Sequence, residues 1–276
     1  MESRILFLGT AGSHAVYAKQ ARASGGILMQ IDEYQFHIDP GPGALLQLLN
    51  YNIDVREHTA ILVSHAHLNH CNDLNILLSA MTYQGFDKQG VVITNETVVN
   101  GHEKILPVLT NTHRNFVERL MVVKPGQKVA INNVEIHALP AFHNDPSAIG
   151  FKLYTQDFIV AYSGDTRYHK DLLEAYNNSD ILILNVQHPF GSNEKEGLSS
   201  DDVVKILEKV KPALCVMTHF GARMLKENPV YQAREIKKKT GIQVVAAEDG
   251  FEVSPDSYAA ISKQKRLSSF SQEKKE

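Results

Sequence analysis

The segment Ser64-His65-Ala66-His67-Leu68-Asn69-His70 puts three imidazoles and one amide into seven residues. It closes residues 60–64, a short apolar run of the kind that forms a strand buried on both faces. Packing gives no reason for three histidines at the exit of such a strand. Neutral imidazole is the commonest metal-binding side chain, and a strand exit can aim several lone pairs into one cavity. The alternative is a surface loop that happens to be rich in histidine, and the buried strand before it argues against that. The chain carries 13 histidines against 2 cysteines and no tryptophan, so a metal centre here would use nitrogen and oxygen ligands. Cys71 and Cys215 are too isolated for a disulfide framework or a paired-cysteine zinc module, and as reduced core thiols they suggest a cytoplasmic setting.

The elements that must position such a cluster follow from apolar runs broken by glycine and proline turns. Residues 5–8, 26–31 and 35–38 predict strands, the last two forming a hairpin that turns at Asp32-Glu33. Asp39-Pro40-Gly41-Pro42-Gly43 is a strong turn, and residues 44–49 have helical spacing. A helix is expected over 74–83 with Asp73 as its N-cap, then a strand at 91–93 and a helix over 97–109 that Pro107 interrupts. Strands cluster at 120–123, 128–131, 134–138, 148–154 and 158–162, with Asn132-Asn133 as a hairpin turn. The last third alternates: strand 180–184, helix 200–210 capped by Ser199 or Ser200, strand 213–217, then helix 229–239 behind Asn228 and Pro229. Short strands at 243–246 and 251–253 follow.

Hydrophobic residues at 43%, charged residues at 21% and a net charge of -3 exclude a wholly disordered chain and a strongly basic nucleic-acid coat. The apolar run at the N-terminus is too short for a signal-peptide core or a transmembrane helix. No fixed-period repeat and no Pro/Ser-rich linker divides the chain. One domain over residues 1–260 is expected, with a polar, frayed tail over 261–276. A strand-rich half followed by more strand and helix suits two sheets packed together with helices outside.

In order along the chain, Phe7-Leu8-Gly9-Thr10-Ala11-Gly12, Ile38-Asp39-Pro40-Gly41, the histidine segment, Pro140-Ala141-Phe142-His143, Tyr162-Ser163-Gly164-Asp165-Thr166 and Met217-Thr218-His219-Phe220-Gly221 resemble the landmarks of the metallo-β-lactamase fold superfamily. That superfamily's metal motif is His-x-His-x-Asp-His at the end of a strand. The resemblance implies an α/β fold, an αββα sandwich of two mixed sheets with helices outside. It also implies one metal site at His65, His67, His143 and Asp165, and a second at Asn69, His70, Asp165 and His219. Zinc, one or two ions, suits this nitrogen-and-carboxylate set, with manganese or iron as alternatives. Read on its own, Asp165 follows a glycine turn at a strand exit, which presents its carboxylate at an edge rather than buried. There it could bridge two cations or merely cap the next helix. His219 has the same strand-exit placement and taken alone could be structural.

Asn69 departs from the pattern, because the family carries Asp there. An amide oxygen is a weaker, uncharged ligand, so affinity at the second site is expected to fall. An amide also cannot accept a proton from an attacking water, a role given to that Asp in related phosphodiesterases. The implied chemistry is hydrolysis by a metal-bound hydroxide at a one- or two-metal site, the cations lowering the pKa of water towards about 7. Asp165 is then a catalytic residue. His188, in Asn185-Val186-Gln187-His188-Pro189-Phe190-Gly191, is a candidate proton donor to the leaving group, or else a loop histidine held by a turn.

Phe7-Leu8-Gly9-Thr10, residues 143–150, Ser163-Gly164-Asp165-Thr166 and His219-Phe220-Gly221 are most similar to the ribonuclease Z and cyclic-phosphodiesterase branch, which implies a phosphodiester substrate. Ribonuclease Z enzymes carry a His-Ser-Thr type loop before a late helix, whereas this chain has Gly197-Leu198-Ser199-Ser200, with Leu198 where the histidine would be. No long arm for gripping transfer RNA is evident, and the net charge does not indicate nucleic acid. A small-molecule or short phosphodiester is therefore the expected substrate. A lactone, ester or thioester hydrolase would use the same ligands, and Asn69 alone favours a non-catalytic metal- or ligand-binding protein. The expected setting is cytoplasmic, without membrane association, and a homodimer is the assembly considered.

Overall fold

In the computed structural model, which describes residues 3–259, the apolar runs become strands of two sheets. The expected tail over 261–276 lies outside the described residues. In chain order the strands are β1 (Arg4–Gly9), β2 (Ser24–Ile31), β3 (Tyr34–Ile38), β4 (His58–Leu62), β5 (Val91–Thr94), β6 (Arg119–Val122), β7 (Lys128–Ile131), β8 (Val134–Pro140), β9 (Ile149–Tyr154), β10 (Ile159–Tyr162), β11 (Ile181–Asn185), β12 (Leu214–Thr218), β13 (Gln243–Ala246) and β14 (Glu252–Val253). One sheet has the order β14-β1-β2-β3-β4-β5-β6 and the other β13-β12-β11-β10-β9-β8-β7. The helices are α1 (His14–Tyr17), α2 (Ala44–Asn50), α3 (Leu68–Cys71), α4 (Leu74–Met81), α5 (Glu96–Asn100), α6 (Asn111–Arg114), α7 (Asp171–Tyr176), α8 (Ser200–Val210), α9 (Ala222–Lys226) and α10 (Pro229–Thr240).

Three apolar layers hold this arrangement together. Phe7, Phe36, Phe151 and Tyr162 meet between the sheets. Leu48 of α2, Leu74 and Leu78 of α4 and Val98 of α5 cover the outer face of the first sheet. Tyr176 of α7, Val203 and Ile206 of α8 and Ile236 of α10 cover the second. Strands β5, β11 and β12 are apolar at all but their last position, and β4 is apolar over residues 60–62, because both their faces are covered. The expected αββα sandwich is the observed one.

Two helix expectations change. The helix expected over 97–109 ends at Asn100. Asn95 caps its start, Oδ1 accepting from Val98 N at 3.0 Å, and Gly101 ends it at φ 74, well before Pro107. Asp73 stands at the start of α4 but makes no side-chain cap there. Its Oδ2 instead accepts from Leu45 N at 3.4 Å, in the first turn of α2, whose own cap position is the side-chain-free Gly43. The other caps agree with expectation: Ser199 and Asp202 form a capping box on α8, and Asn228 caps α10.

What matters for function is strand direction. β3, β4 and β5 run parallel, as do β10, β11, β12 and β13, and β8 is brought parallel to β10 through two antiparallel pairings. The exits of β3, β4, β8, β10, β11 and β12 therefore open on one end of the sandwich, the usual place for a site in α/β sheets.

A second histidine pair lies inside the first sheet. Gln35 Nε2 donates to His58 Nδ1 (2.8 Å), His58 Nε2 to His37 Nδ1 (3.1 Å), and His37 Nε2 to the Gly25 carbonyl (2.7 Å). This chain of donors is consistent only with neutral rings. Burial lowers the His37 pKa to about 4, and burial, then the neighbouring His37, holds His58 well below its ordinary value. Unfolded histidines take up protons from about pH 6.5 downwards while the native pair stays neutral, so stability is full above that pH and falls as pH drops towards 4. The contribution of His37 alone is on the order of 3 kcal/mol. Urea midpoints of the metal-free protein should therefore fall over this window, and the double variant His37→Phe/His58→Phe should show a flatter pH slope whatever its absolute stability. Equal slopes would refute the assignment.

Candidate metal centre

Each strand exit delivers one part of the site. From β4 the chain enters the loop Ser64–His67, which is pinned from several sides. Asn95 Nδ2 donates to the Ser64 carbonyl (2.8 Å), Ile149 N donates to the same carbonyl (3.0 Å), and Ala66 N donates to Asp145 Oδ2 (2.9 Å). Asp145 is buried and also accepts from Ser147 N, so it fixes the backbone between His65 and His67. The chain then forms α3, which carries Asn69 and His70. Glycine is required at two close approaches. A Cβ on Gly12 would lie 1.9 Å from the His219 carbonyl oxygen, and Gly164, at φ 60, would clash with Ile149 O at 2.7 Å.

Two groups of nitrogen and oxygen atoms that could hold a cation result. His65 Nε2 and His143 Nε2 each lie 3.1 Å from His67 Nδ1. Alongside, His70 Nε2 and His219 Nε2 lie 3.3 Å and 3.2 Å from Asp165 Oδ2. His65 Nε2 lies 3.9 Å from that same oxygen, so Asp165 stands between the two groups. Its Oδ1 accepts from Asn185 Nδ2 at 2.7 Å. The Asp165 side chain is only 13% exposed, so it is enclosed rather than presented at an open edge. The rings it joins enclose it.

The protonation pattern suits cation binding. Burial, then the charge of neighbouring imidazoles, holds His65 well below its ordinary pKa, and burial lowers His67 and His143. These rings are neutral with lone pairs available. Burial opposes charge on His70, but Asp165 and Asp39 outweigh it and raise its pKa to about 10. Burial likewise works against ionised Asp165, yet His219 and His70 outweigh it and hold the carboxyl well below the usual range. A cation at His70 must displace a proton. The buried atoms His70 Nε2 and His219 Nε2 face the Asp165 carboxylate without a well-aligned hydrogen bond, an arrangement that suits ligand atoms. The residues fit a divalent metal.

Asp39, which sequence reasoning took only as part of a turn, is central. Its Oδ1 accepts from Ser64 N (2.7 Å), and its Oδ2 accepts from Ser64 Oγ (2.6 Å), His70 Nδ1 (2.9 Å) and Tyr162 OH (2.7 Å). Holding the proton on His70 Nδ1 leaves Nε2 to face Asp165. Asn185 was also missed, although it lies in the segment quoted for His188. No spacing rule marks either residue; Asp39 directly follows β3 and Asn185 is the last residue of β11.

The remaining expectations divide. Asn69 is half-buried at the wall of a cavity of about 20 Å³, beside Asp39, His70, Tyr162, Asn185 and His219. His188 is not among the converging ligand groups; its Nε2 donates to the Glu196 carbonyl at 2.8 Å. Leu198 is fully buried in the core of the second sheet. Cys71 and Cys215 are free, buried thiols, as expected.

Residues 34–220 match the family model described as the beta-lactamase superfamily domain. The chain belongs to that family. Its fold is the metallo-β-lactamase fold, and the family is one of metal-dependent hydrolases that bind divalent metal. The uncharacterized protein MJ1374 of Methanocaldococcus jannaschii is 32% identical over 255 residues, 92% of this chain and 95% of that protein. Ribonuclease Z of Macrococcus caseolyticus is 20% identical over 301 residues, 90% of this chain and 98% of the relative. Among solved structures, the metallo-beta-lactamase fold protein YhfI from Bacillus subtilis superposes with a TM-score of 0.76 at 19% identity, covering 92% of this chain and 99% of that one. No helix among the described residues is long and apolar enough to cross a membrane.

Because Asp39 serves four donors, Asp39→Ala should destabilise the metal-free protein by at least about 3 kcal/mol, measured by denaturant unfolding. It should also weaken metal binding by roughly 10–100-fold in chelator competition. A variant that keeps wild-type metal affinity would remove Asp39 from the centre.

Proposed function

We propose that this chain is a metal-dependent phosphodiesterase acting in the cytoplasm on a small or short phosphodiester. The observation that carries the reading is Asp165 Oδ2 standing within 3.9 Å of His65, 3.3 Å of His70 and 3.2 Å of His219, so that one carboxylate serves both ligand groups. His65, His67 and His143 would hold one cation with Asp165. His70, His219 and Asp165 would hold the other, with Asn69 beside them. Zinc is the preferred ion for this donor set, with manganese and iron as alternatives. When bound, such cations supply Lewis acidity and a water of lowered pKa. The protein's own part is orientation. Asn185 fixes the second oxygen of Asp165, Asp39 sets the proton of His70, and Asp145 holds the His65–His67 backbone.

The phosphodiester reading rests on the likeness to ribonuclease Z sequences over nearly the whole chain and on the landmarks of that branch in the sequence. Transfer RNA is not the proposed substrate, because Leu198 occupies the position of the expected loop histidine and turns into the core.

Purified protein should contain tightly bound divalent metal and cleave bis(p-nitrophenyl) phosphate. A chelator should abolish the activity and added Zn2+ or Mn2+ should restore it. His67→Ala should lower the rate by about 100-fold or more, and Asn69→Asp should tighten binding of the second cation. Cleavage of lactones or thioesters with no action on the diester would replace this reading with the ester-hydrolase one. Metal binding without turnover of any substrate would leave a binding protein.

A further inference from the structure

His143 has one nitrogen that the ligand group does not explain. Its Nε2 faces His67 Nδ1 at 3.1 Å, so Nδ1 is the nitrogen left over. That Nδ1 is buried and has no hydrogen-bond partner. An imidazole that offers its Nε2 lone pair to a cation carries its proton on Nδ1, and a buried N–H without an acceptor costs about 1–3 kcal/mol. Two of the other site imidazoles have answers to the same problem. His70 Nδ1 donates to Asp39 at 2.9 Å, and His65 Nδ1 lies 2.9 Å from Ser64 Oγ.

The carboxylate facing His143 Nδ1 is that of Glu196, with Oε2 at 3.8 Å. This is longer than a hydrogen bond, and closing it takes about 1 Å of movement by a side chain that is 55% exposed. The other oxygen, Oε1, lies 3.9 Å from Arg167 Nη1. Arg167 is placed beside the same segment, its N–H donating to the Phe142 carbonyl at 2.9 Å. The carboxylate thus stands between His143 and a cation.

The loop that brings Glu196 there is tied back on itself at His188. His188 N donates to the Leu198 carbonyl (3.1 Å), and Ser200 N donates to the His188 carbonyl (3.0 Å). The His188 ring donates to the carbonyl of Glu196 itself at 2.8 Å. His188 therefore acts on the loop rather than on the ligand cluster.

We infer that Glu196 is a positioning residue of the first metal site, its carboxylate accepting the Nδ1–H of His143 when His65, His67 and His143 hold a cation. This rests on the metal-centre reading of those histidines and is independent of which bond the protein hydrolyses. Carboxylate partners of metal-bound histidines fix the tautomer and raise ligand basicity.

The test is Co2+ and Zn2+ binding to the full chain, read by chelator competition and by the Co2+ absorption spectrum. Glu196→Ala should weaken the tighter site by about 10–100-fold and alter the Co2+ spectrum. Glu196→Gln, whose amide oxygen can accept the same proton, should recover most of the affinity, and Glu194→Ala, an exposed carboxylate on the same loop, should bind as wild type does. Unchanged affinity in Glu196→Ala overturns the inference alone. So do equal losses in Glu196→Gln and Glu196→Ala, or a matching loss in Glu194→Ala. A wild type that binds neither ion overturns the metal-centre reading and this inference with it.

Discussion

Asp39 is a buried carboxylate that must be satisfied for the rest of the site to exist. Its donors come from the exit of β4, from α3 and from β10 in the opposite sheet. A buried charge without partners costs several kcal/mol, so these groups are held together as one unit. The hydrogen bond from Tyr162 ties the two sheets at the end where the ligands gather, and the bond from His70 aims its other nitrogen at Asp165. The same four contacts thus join the two sheets and orient His70. That coupling suits a site that has to be arranged before a cation arrives.

The backbone bears the cost of this convergence. Asp39 at φ 53 and His219 at φ 62 sit in the left-handed region, where non-glycine residues are uncommon. Such conformations cost of order 1–3 kcal/mol each and persist where surrounding structure over-determines them. At His219 that surrounding structure includes Gly12, packed against its carbonyl, and the paired bonds Gly12 N to Phe220 O and Phe220 N to Thr10 O. The β1 exit therefore has a role although it supplies no ligand. It is the wall against which the last histidine turns.

Much of this was legible in the sequence, for identifiable reasons. Strands buried on both faces leave uninterrupted apolar runs, so β4, β11 and β12 were readable together with the histidines that follow β4. Capping chemistry is local, which is why Ser199 and Asn228 could be placed. Asp73 could not, because its acceptor role reaches Leu45, twenty-eight positions away. Asp39, Asp145 and Asn185 were invisible for the same reason. Each acts through hydrogen bonds to residues distant in sequence, and a lone Asp after a strand looks like any turn former. The enclosure of Asp165 was misread because a glycine turn suggests exposure, whereas here it is crowded by the very rings it joins. His188 was placed at the right end of the sandwich, but its ring turns to the Glu196 carbonyl.

The departures at Asn69 and Leu198 are of different physical kinds. Asn69 lines the cavity wall beside His70 and His219 but is uncharged where the superfamily motif carries a carboxylate. Leu198 is fully buried with Leu184, Val203 and Phe220. An imidazole put there would enter an apolar layer, where an unpartnered polar group costs about 1–3 kcal/mol. Exchanging that leucine for histidine would therefore put the imidazole in the core rather than at the site, because the loop carries residue 198 inward, while the His188 ring turns to the Glu196 carbonyl. The Leu198 backbone has a use of its own, accepting from His188 N.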